Sequence, residues 1–278
     1  MKMFNIPNLL TASNMLCGVI AILLTVAGYT FAAPFFIFLA AILDFFDGFL
    51  ARLLKQQGEL GKQLDSLADM ISFGLAPGIM MVAMLISASG TGDIAGNGTM
   101  NVTAEQVEAG MNSVFGHWVH NLVNGEHTNW LPLCGLIIPF FSMFRLAKFN
   151  IDTRQSESFI GLPTPANTIF FMAFPLLQAT VYNSSGLTWE SELLTWLMQP
   201  AVLIAIIVIM SLLLVAELPL FALKFKKFGW KGNEIRYAFL VGCVLLIVLI
   251  RFWAIPIIII LYLLLSVANN YTSKKQHS

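Results

Sequence analysis

The chain has 278 residues, with 15 Lys plus Arg balanced by 15 Asp plus Glu, and it is 58% hydrophobic and 11% charged, where a soluble domain carries about 25% charged residues. With a mean hydropathy of +0.79, this composition defines an integral membrane protein and excludes a soluble globular enzyme. Zero net charge gives no basis for a nucleic-acid partner.

Apolar stretches of the ~20 residues that a spanning helix needs run over 9–28, 31–51, 66–87, 131–149, 165–182 and 201–222. The N-terminus carries one Lys before "IPNLLTASN", too polar for the core of a signal peptide, and is expected to be retained. The last apolar run, Tyr237 to Ser266, is too long for one span, and "RFWAIP" (251–256) puts Arg, Trp and Pro at its middle. It is expected to form two short helices, giving an all-α polytopic transmembrane bundle of about eight spans in a single membrane-embedded domain, 1–278.

Lys and Arg concentrate in short cytoplasmic loops. Lys2, Arg52, Lys55, Lys62, Arg145, Lys148, Arg154 and the cluster "KFKKFGWKGNEIR" (224–236) all fall on one side of an eight-span layout, and only Arg251 disagrees. The intervening segment 88–130 has no Lys or Arg and is expected to be an extracytoplasmic loop insertion. Both termini are then expected to face the cytoplasm from the plasma (inner) membrane. Within the insertion, Val107, Met111, Phe115, Trp118 and Leu122 recur at helical spacing and predict an amphipathic helix over 104–124, lying on the outer membrane surface. His117 and His120 on that helix lack a third ligand and read as a surface pair, and the sequons at Asn97 and Asn101 are weak signals. Cys17, Cys134 and Cys243 fall in predicted spans without ligand spacing and read as packing residues.

The chemistry is concentrated in "LDFFDGFLARLLKQQGELGKQLDSLAD" (43–69). Asp44 and Asp47 are three apart at the cytoplasmic end of the second span, and Asp65 and Asp69 are four apart at the start of the third, so each pair shares a helix face. The link 53–62, with Gly58 and Gly61, allows a tight reversal and makes the two helices antiparallel neighbours. One or two aspartates can serve only as caps or as partners of Arg52 and Lys62; four at these spacings, interleaved with Gly48, Ala51 and Gly61, exceed that role. Converging carboxylates in a low-dielectric setting need cations. Oxygen-only ligands favour hard ions, so two divalent cations, Mg²⁺ or Mn²⁺, are expected, and a metal pair suits a diphosphate substrate.

The pattern D44-x2-D47-G48-x2-A51-R52-x8-G61-x3-D65-x3-D69 fixes eight residues across 26 and resembles the motif of the CDP-alcohol phosphotransferase family at every fixed position. The resemblance implies a six-helix membrane core, often homodimeric, that moves a phosphatidyl or related group from a CDP-linked donor to an alcohol and releases CMP. It implies Asp44, Asp47, Asp65 and Asp69 as metal ligands and Asp69 also as the base that deprotonates the acceptor. Gly48, Ala51 and Gly61 leave room for a nucleotide against the helices, and Arg52 offers planar donors to phosphate. By the same resemblance "PNLLT" lies near the nucleotide, making Asn8 and Thr11 donor-site candidates, although both residues can equally cap the first helix.

"FRLAKFNIDTRQSESFIGLPTPAN" (144–167), "IPNLLTASNMLCG" (6–18) and "DSLADMISFGLAPG" (65–78) are similar to the corresponding segments of bacterial and archaeal phosphatidylserine synthases. That resemblance implies CDP-diacylglycerol and L-serine as substrates. Arg145 and Lys148, i and i+3 at the cytoplasmic end of the fourth span, are acceptor-binding candidates for a carboxylate or a phosphate, and they also satisfy the positive-inside rule. Asn150 and Asn167 are further residues within reach of the pocket, and Thr164 and Pro165 are expected to start the fifth span. No Ser, His or Cys nucleophile accompanies the carboxylates, so direct displacement without a covalent enzyme intermediate is expected. The alternatives are a related enzyme acting on glycerol 3-phosphate or an inositol phosphate, and an ion transporter with a carboxylate path.

Overall fold

The computed structural model describes residues 4–89, 115–116, 118–125, 129–152, 159–182, 188–220 and 234–276. Asn97, Asn101, most of the 104–124 stretch including His117, Arg154 and the bulk of the 224–236 cluster lie outside the described residues.

Helix α1 (Ile6–Val26) starts where the Asn5 side chain accepts from the Asn8 N–H at 2.8 Å, with Pro7 in the first turn. It packs along α2 (Ala33–Leu53). A short link leads to α3 (Glu59–Asp69), which passes through a π-helical turn (Met70–Leu75) into α4 (Ala76–Ala88) without a break. This helix begins at Glu59, about two turns before the expected start at 66, because the polar residues ahead of the membrane continue the same helical register. The link between the aspartate-bearing helices is correspondingly tighter.

A short helix α5 (residues 118–124) follows. Its apolar face meets protein as well as any membrane surface: Trp118 packs with Val82 and Ile86 of α4, together with Phe115, Leu122 and Leu133, and the Trp118 indole donates to Asn129 O at 2.9 Å. A 3₁₀ turn (Leu131–Leu136) opens α6 (Ile137–Ile151). Helix α7 (Thr164–Tyr182), with Pro165 in its first turn, is the inner helix, buried along most of its length. A capping box at Thr188 and Ser191 starts α8 (Trp189–Leu197), and the chain then bends by 70° into α9 (Pro200–Val215).

Helices α10 (Glu234–Ile250) and α11 (Ala254–Gln276) close the chain. The rings of Phe239 and Tyr262 are 6.0 Å apart, whereas a straight helix would separate them by roughly 34 Å at 1.5 Å per residue. The chain therefore folds back at Arg251, whose φ is +48°, and the two helices expected from "RFWAIP" are present.

By length and composition, five helical stretches can cross a bilayer: Ile6–Val26, Ala33–Leu53, Glu59–Ala88, Leu131–Ile151 and Phe239–Ala268. The bent pair α8 and α9 makes a sixth if it is one span. The architecture is an all-α polytopic bundle; the expected eight spans also count α7 and each limb of the α10–α11 hairpin.

Small residues let the helices approach closely. A Cβ on Gly18 would lie 2.7 Å from Ser72 Cα, one on Gly78 would lie 2.6 Å from Pro139, and one on Gly135 would lie 2.7 Å from Val82 N. The core around these contacts includes Ile37, Phe73, Met80, Met81, Ile138, Phe171 and Ile207. A two-stranded ladder, β1 (Phe159–Ile160) against β2 (Pro219–Leu220), ties the entry to α7 to the exit from α9. Between them Gly161, at φ +80°, sits so close that a Cβ would lie 2.6 Å from Leu214 O.

Candidate active site

The two aspartate pairs converge as the short link between α2 and α3 requires. One carboxylate oxygen from each of Asp44, Asp47 and Asp65 lies within 4.8 Å of the others. The Asp69 carboxyl lies close enough to those of Asp44 and Asp65 to feel their charge, which places the fourth aspartate at the edge of the cluster. Asp47 is 5% and Asp69 9% exposed. Carboxylates packed this closely and this deep repel one another unless cations lie between them. The donor set is oxygen only, with no thiolate or imidazole in the group, which fits a hard dication such as Mg²⁺ or Mn²⁺.

Helix α1 supplies none of the aspartates but orients two of them. Thr11 Oγ1 donates to Asp47 Oδ2 at 2.6 Å, and Asn14 Nδ2 donates to Asp69 Oδ1 at 3.3 Å. The helix cap is Asn5, which leaves Asn8 and Thr11 facing inward. Asn14 was not among the sequence candidates; its signal was an amide one helical turn beyond Thr11 in an apolar span, where polar residues mark function.

A cleft of about 480 Å³ opens beside the cluster, within the size range of small-molecule sites. Asn8, Thr11, Gly48, Ala51, Arg52 and Gly61 all line it, with Asp47 and Asp65 at its inner wall and Gln56, Gln57, Glu59 and Lys62 on its rim. A Cβ on Gly48 would meet only Arg52 Nη2, at 3.6 Å, and one on Gly61 only Asn8 Oδ1, at 3.5 Å. The protein's own packing therefore does not demand glycine at either position; the space they leave belongs to the cleft. Arg52 is held against α2 by its Nε, which donates to Gly48 O at 3.0 Å, and its terminal nitrogens remain at the cleft wall.

On the other side of the cluster, α6 runs antiparallel to the α3–α4 helix in a register fixed by four contacts. Gly135 lies against Val82, Pro139 against Gly78, Ser142 Cβ 3.2 Å from a Cβ on Gly74, and Asn150 Nδ2 donates to Ser66 Oγ at 2.7 Å. Interpolation places Arg145 level with the turn that follows Asp69. Arg145 is 4% exposed, donates from Nε to Leu162 O at 3.3 Å and lies 5.2 Å from the centroid of the Phe149 ring. Among the described residues no carboxylate is within ion-pair distance of its guanidinium, an unusual state for a buried cation. Lys148 differs: its ammonium is 3.2 Å from Glu217 Oε1 at the surface. Asn150 ties α6 to α3, bonding Ser66 through its side chain and receiving the Lys62 ammonium on its carbonyl at 2.8 Å.

The family model of CDP-alcohol phosphatidyltransferases matches residues 4–207, which span every helix that builds this site. The chain belongs to the CDP-alcohol phosphatidyltransferase family. It is 29% identical over 164 residues to the CDP-diacylglycerol–serine O-phosphatidyltransferase of Bacillus subtilis, covering 58% of this chain and 69% of that one. It is 30% identical over 185 residues to the protein of the same name from Helicobacter pylori (strain 26695), covering 66% and 62%. The archaetidylserine synthase of Methanothermobacter thermautotrophicus is 28% identical over 176 residues, covering 62% and 58%. The matches to the Helicobacter and Methanothermobacter proteins thus span less than two thirds of those chains. The phosphatidyltransferase model stops within α9, so the α10–α11 hairpin lies beyond the matched region.

Proposed function

We propose that this phosphatidyltransferase transfers the phosphatidyl group of CDP-diacylglycerol to the hydroxyl of L-serine, releasing CMP. The observation that carries the choice of acceptor is Arg145, a buried guanidinium with no anionic partner among the described residues, level with the turn after Asp69. Serine brings one carboxylate for it. The names of the Bacillus and Helicobacter relatives support the same acceptor.

In this reading Asp44, Asp47, Asp65 and Asp69 hold two divalent cations, Mg²⁺ or Mn²⁺, which supply neutralisation of the pyrophosphate and of the departing CMP. Asn8, Thr11, Gly48, Ala51, Arg52 and Gly61 receive the donor in the cleft, with Arg52 offering its Nη groups to phosphate. Asn14 occupies one oxygen of Asp69, leaving the other to take the serine hydroxyl proton. The serine oxygen then bonds to the phosphorus bearing diacylglycerol as the bond from that phosphorus to CMP breaks. The step is a direct displacement. Lys148, engaged with Glu217, takes a secondary part at most.

The acceptors glycerol 3-phosphate and inositol phosphate carry a dianionic group that calls for several cations, and one buried guanidinium suits a single carboxylate better. A cation path has no support once family membership is established. We place the site at the cytoplasmic face of the plasma membrane. The placement of Arg52, Lys55, Lys62, Arg145 and Lys148 at the aspartate-bearing ends of their helices supports that orientation, because Lys and Arg concentrate on the cytoplasmic side.

The test is an assay of the purified full-length protein with CDP-diacylglycerol and each labelled alcohol. Turnover with serine is expected; transfer to glycerol 3-phosphate or inositol phosphate without transfer to serine would overturn the assignment.

A further inference from the structure

Besides Arg145, two polar side chains lie in the same slice of the bundle, and among the described residues neither side chain has a hydrogen-bond partner. Asn167, on the first turns of α7, is 0% exposed, and neither its Oδ1 nor its Nδ2 has a partner. Ser142, one turn before Arg145 on α6, is 0% exposed with its Oγ unpartnered. Their depth follows from neighbouring contacts. Thr168 Oγ1 donates to Phe73 O at 2.7 Å, which sets Asn167 level with Ser72, while Ser142 is in contact with Gly74. Both therefore lie about one turn beyond Asp69, in the slice occupied by Arg145. The segment they flank is the π-helical turn Met70–Leu75, a geometry frequent at functional sites.

A fully buried primary amide with four unmet hydrogen bonds costs stability unless something polar meets it. Nothing in the packing explains why an amide is there, since a leucine would fill the same apolar bundle at less cost. The geometry points to Asn167 as a specificity-determining residue of the acceptor subsite: its amide oxygen accepts from the acceptor's ammonium while Arg145, at the same depth, takes the carboxylate. This rests on the reading of serine as acceptor and deepens it. Arg145 of α6 and Asn167 of α7 then read an α-amino acid at two points, and its hydroxyl is left to reach Asp69. An alcohol lacking the ammonium leaves the amide unmet and is rejected on that account.

The test uses the full-length protein in lipid nanodiscs, with L-serine as substrate and 3-hydroxypropanoate, which is serine without its ammonium, as competitor. Asn167→Ala is expected to raise KM for serine by about tenfold, the loss of one charge-assisted hydrogen bond, while KM for CDP-diacylglycerol and the inhibition constant of 3-hydroxypropanoate stay unchanged. Its thermal midpoint is expected to equal or exceed the wild-type value, because two unmet polar atoms are gone. Asn167→Asp, which keeps an acceptor oxygen in place, is expected to retain serine binding and serves if the alanine variant does not fold. An unchanged serine KM in Asn167→Ala, a loss of serine binding in Asn167→Asp, or a parallel rise in serine KM and competitor constant in Asn167→Ala overturns the inference while leaving serine as the acceptor. No serine turnover by the wild type overturns the acceptor reading itself and this inference with it.

Discussion

Thr11 on α1 donates its hydroxyl hydrogen to Asp47 Oδ2 at 2.6 Å, so a helix that carries none of the four aspartates aims one of them. The bond fixes which Asp47 oxygen faces the cluster. Thr11→Val keeps the shape and removes the donor, and is expected to weaken divalent-cation activation by roughly 10–100-fold, the usual effect of losing a group that orients a ligand. Thr11→Ser is expected to restore it. Titration of activity against Mn²⁺ reads the difference, and equal activation constants for wild type and Thr11→Val would remove Thr11 from the site.

Asp69, proposed above as both base and ligand, is buried and has one oxygen held by Asn14. Asp69→Asn is expected to lower CMP release by at least about 10²-fold, the scale of general-base catalysis, with the thermal midpoint preserved or raised because a buried charge has been removed. Chelation of divalent cations with EDTA is expected to abolish activity in the wild type, and added Mg²⁺ or Mn²⁺ to restore it. An active Asp69→Asn protein would assign the base elsewhere.

Arg145 and Lys148 are separated by one helical turn and by their surroundings. Arg145 is buried without an anion among the described residues, whereas Lys148 already faces Glu217 at the surface. Arg145→Met is expected to raise KM for serine by ten times or more with a smaller change in KM for the donor, because a charge-assisted pair is lost where solvent cannot replace it. Lys148→Ala is expected to leave both constants near wild type, since an exposed pair contributes about 0–1 kcal/mol. If Arg145→Met raised the donor KM instead, its guanidinium would belong to the phosphates.

Glycines of the site and glycines of the packing separate by what surrounds them. Gly61→Leu places a side chain in the open cleft and is expected to raise KM for CDP-diacylglycerol without lowering the thermal midpoint. Gly18→Val drives a side chain into Ser72 backbone, where a Cβ has only 2.7 Å, and is expected to cost about 1–3 kcal/mol of stability. Thermal unfolding alongside steady-state kinetics checks both, and a cleft variant that unfolds early would show that Gly61 is structural.

The four aspartates, Gly48, Arg52 and Gly61 were legible because their relations are local. Spacings of three and four put side chains on one helix face, and a link of a few residues leaves two helices no arrangement but an antiparallel one. Asn14 was half legible, as an amide in an apolar span one turn from Thr11. The docking of Trp118 against α4 was not legible, since an amphipathic face reads the same whether it lies on lipid or on protein. Nor did spacing reveal that Asn150 would tie α6 to α3 instead of entering the cleft.

Composition and local spacing alone determined a membrane bundle, the acidic cluster and the walls of the cleft beside it, because hydrophobic length and helical periodicity act over a few residues. The tertiary structure alone decided which of two neighbouring cations lacks an anionic partner among the described residues and at what depth Arg145, Ser142 and Asn167 lie. That depth depends on how far α6 and α7 slide along the α3–α4 helix, and the slide is set by close contacts such as Gly78 with Pro139 and Thr168 with Phe73, between residues far apart in the chain.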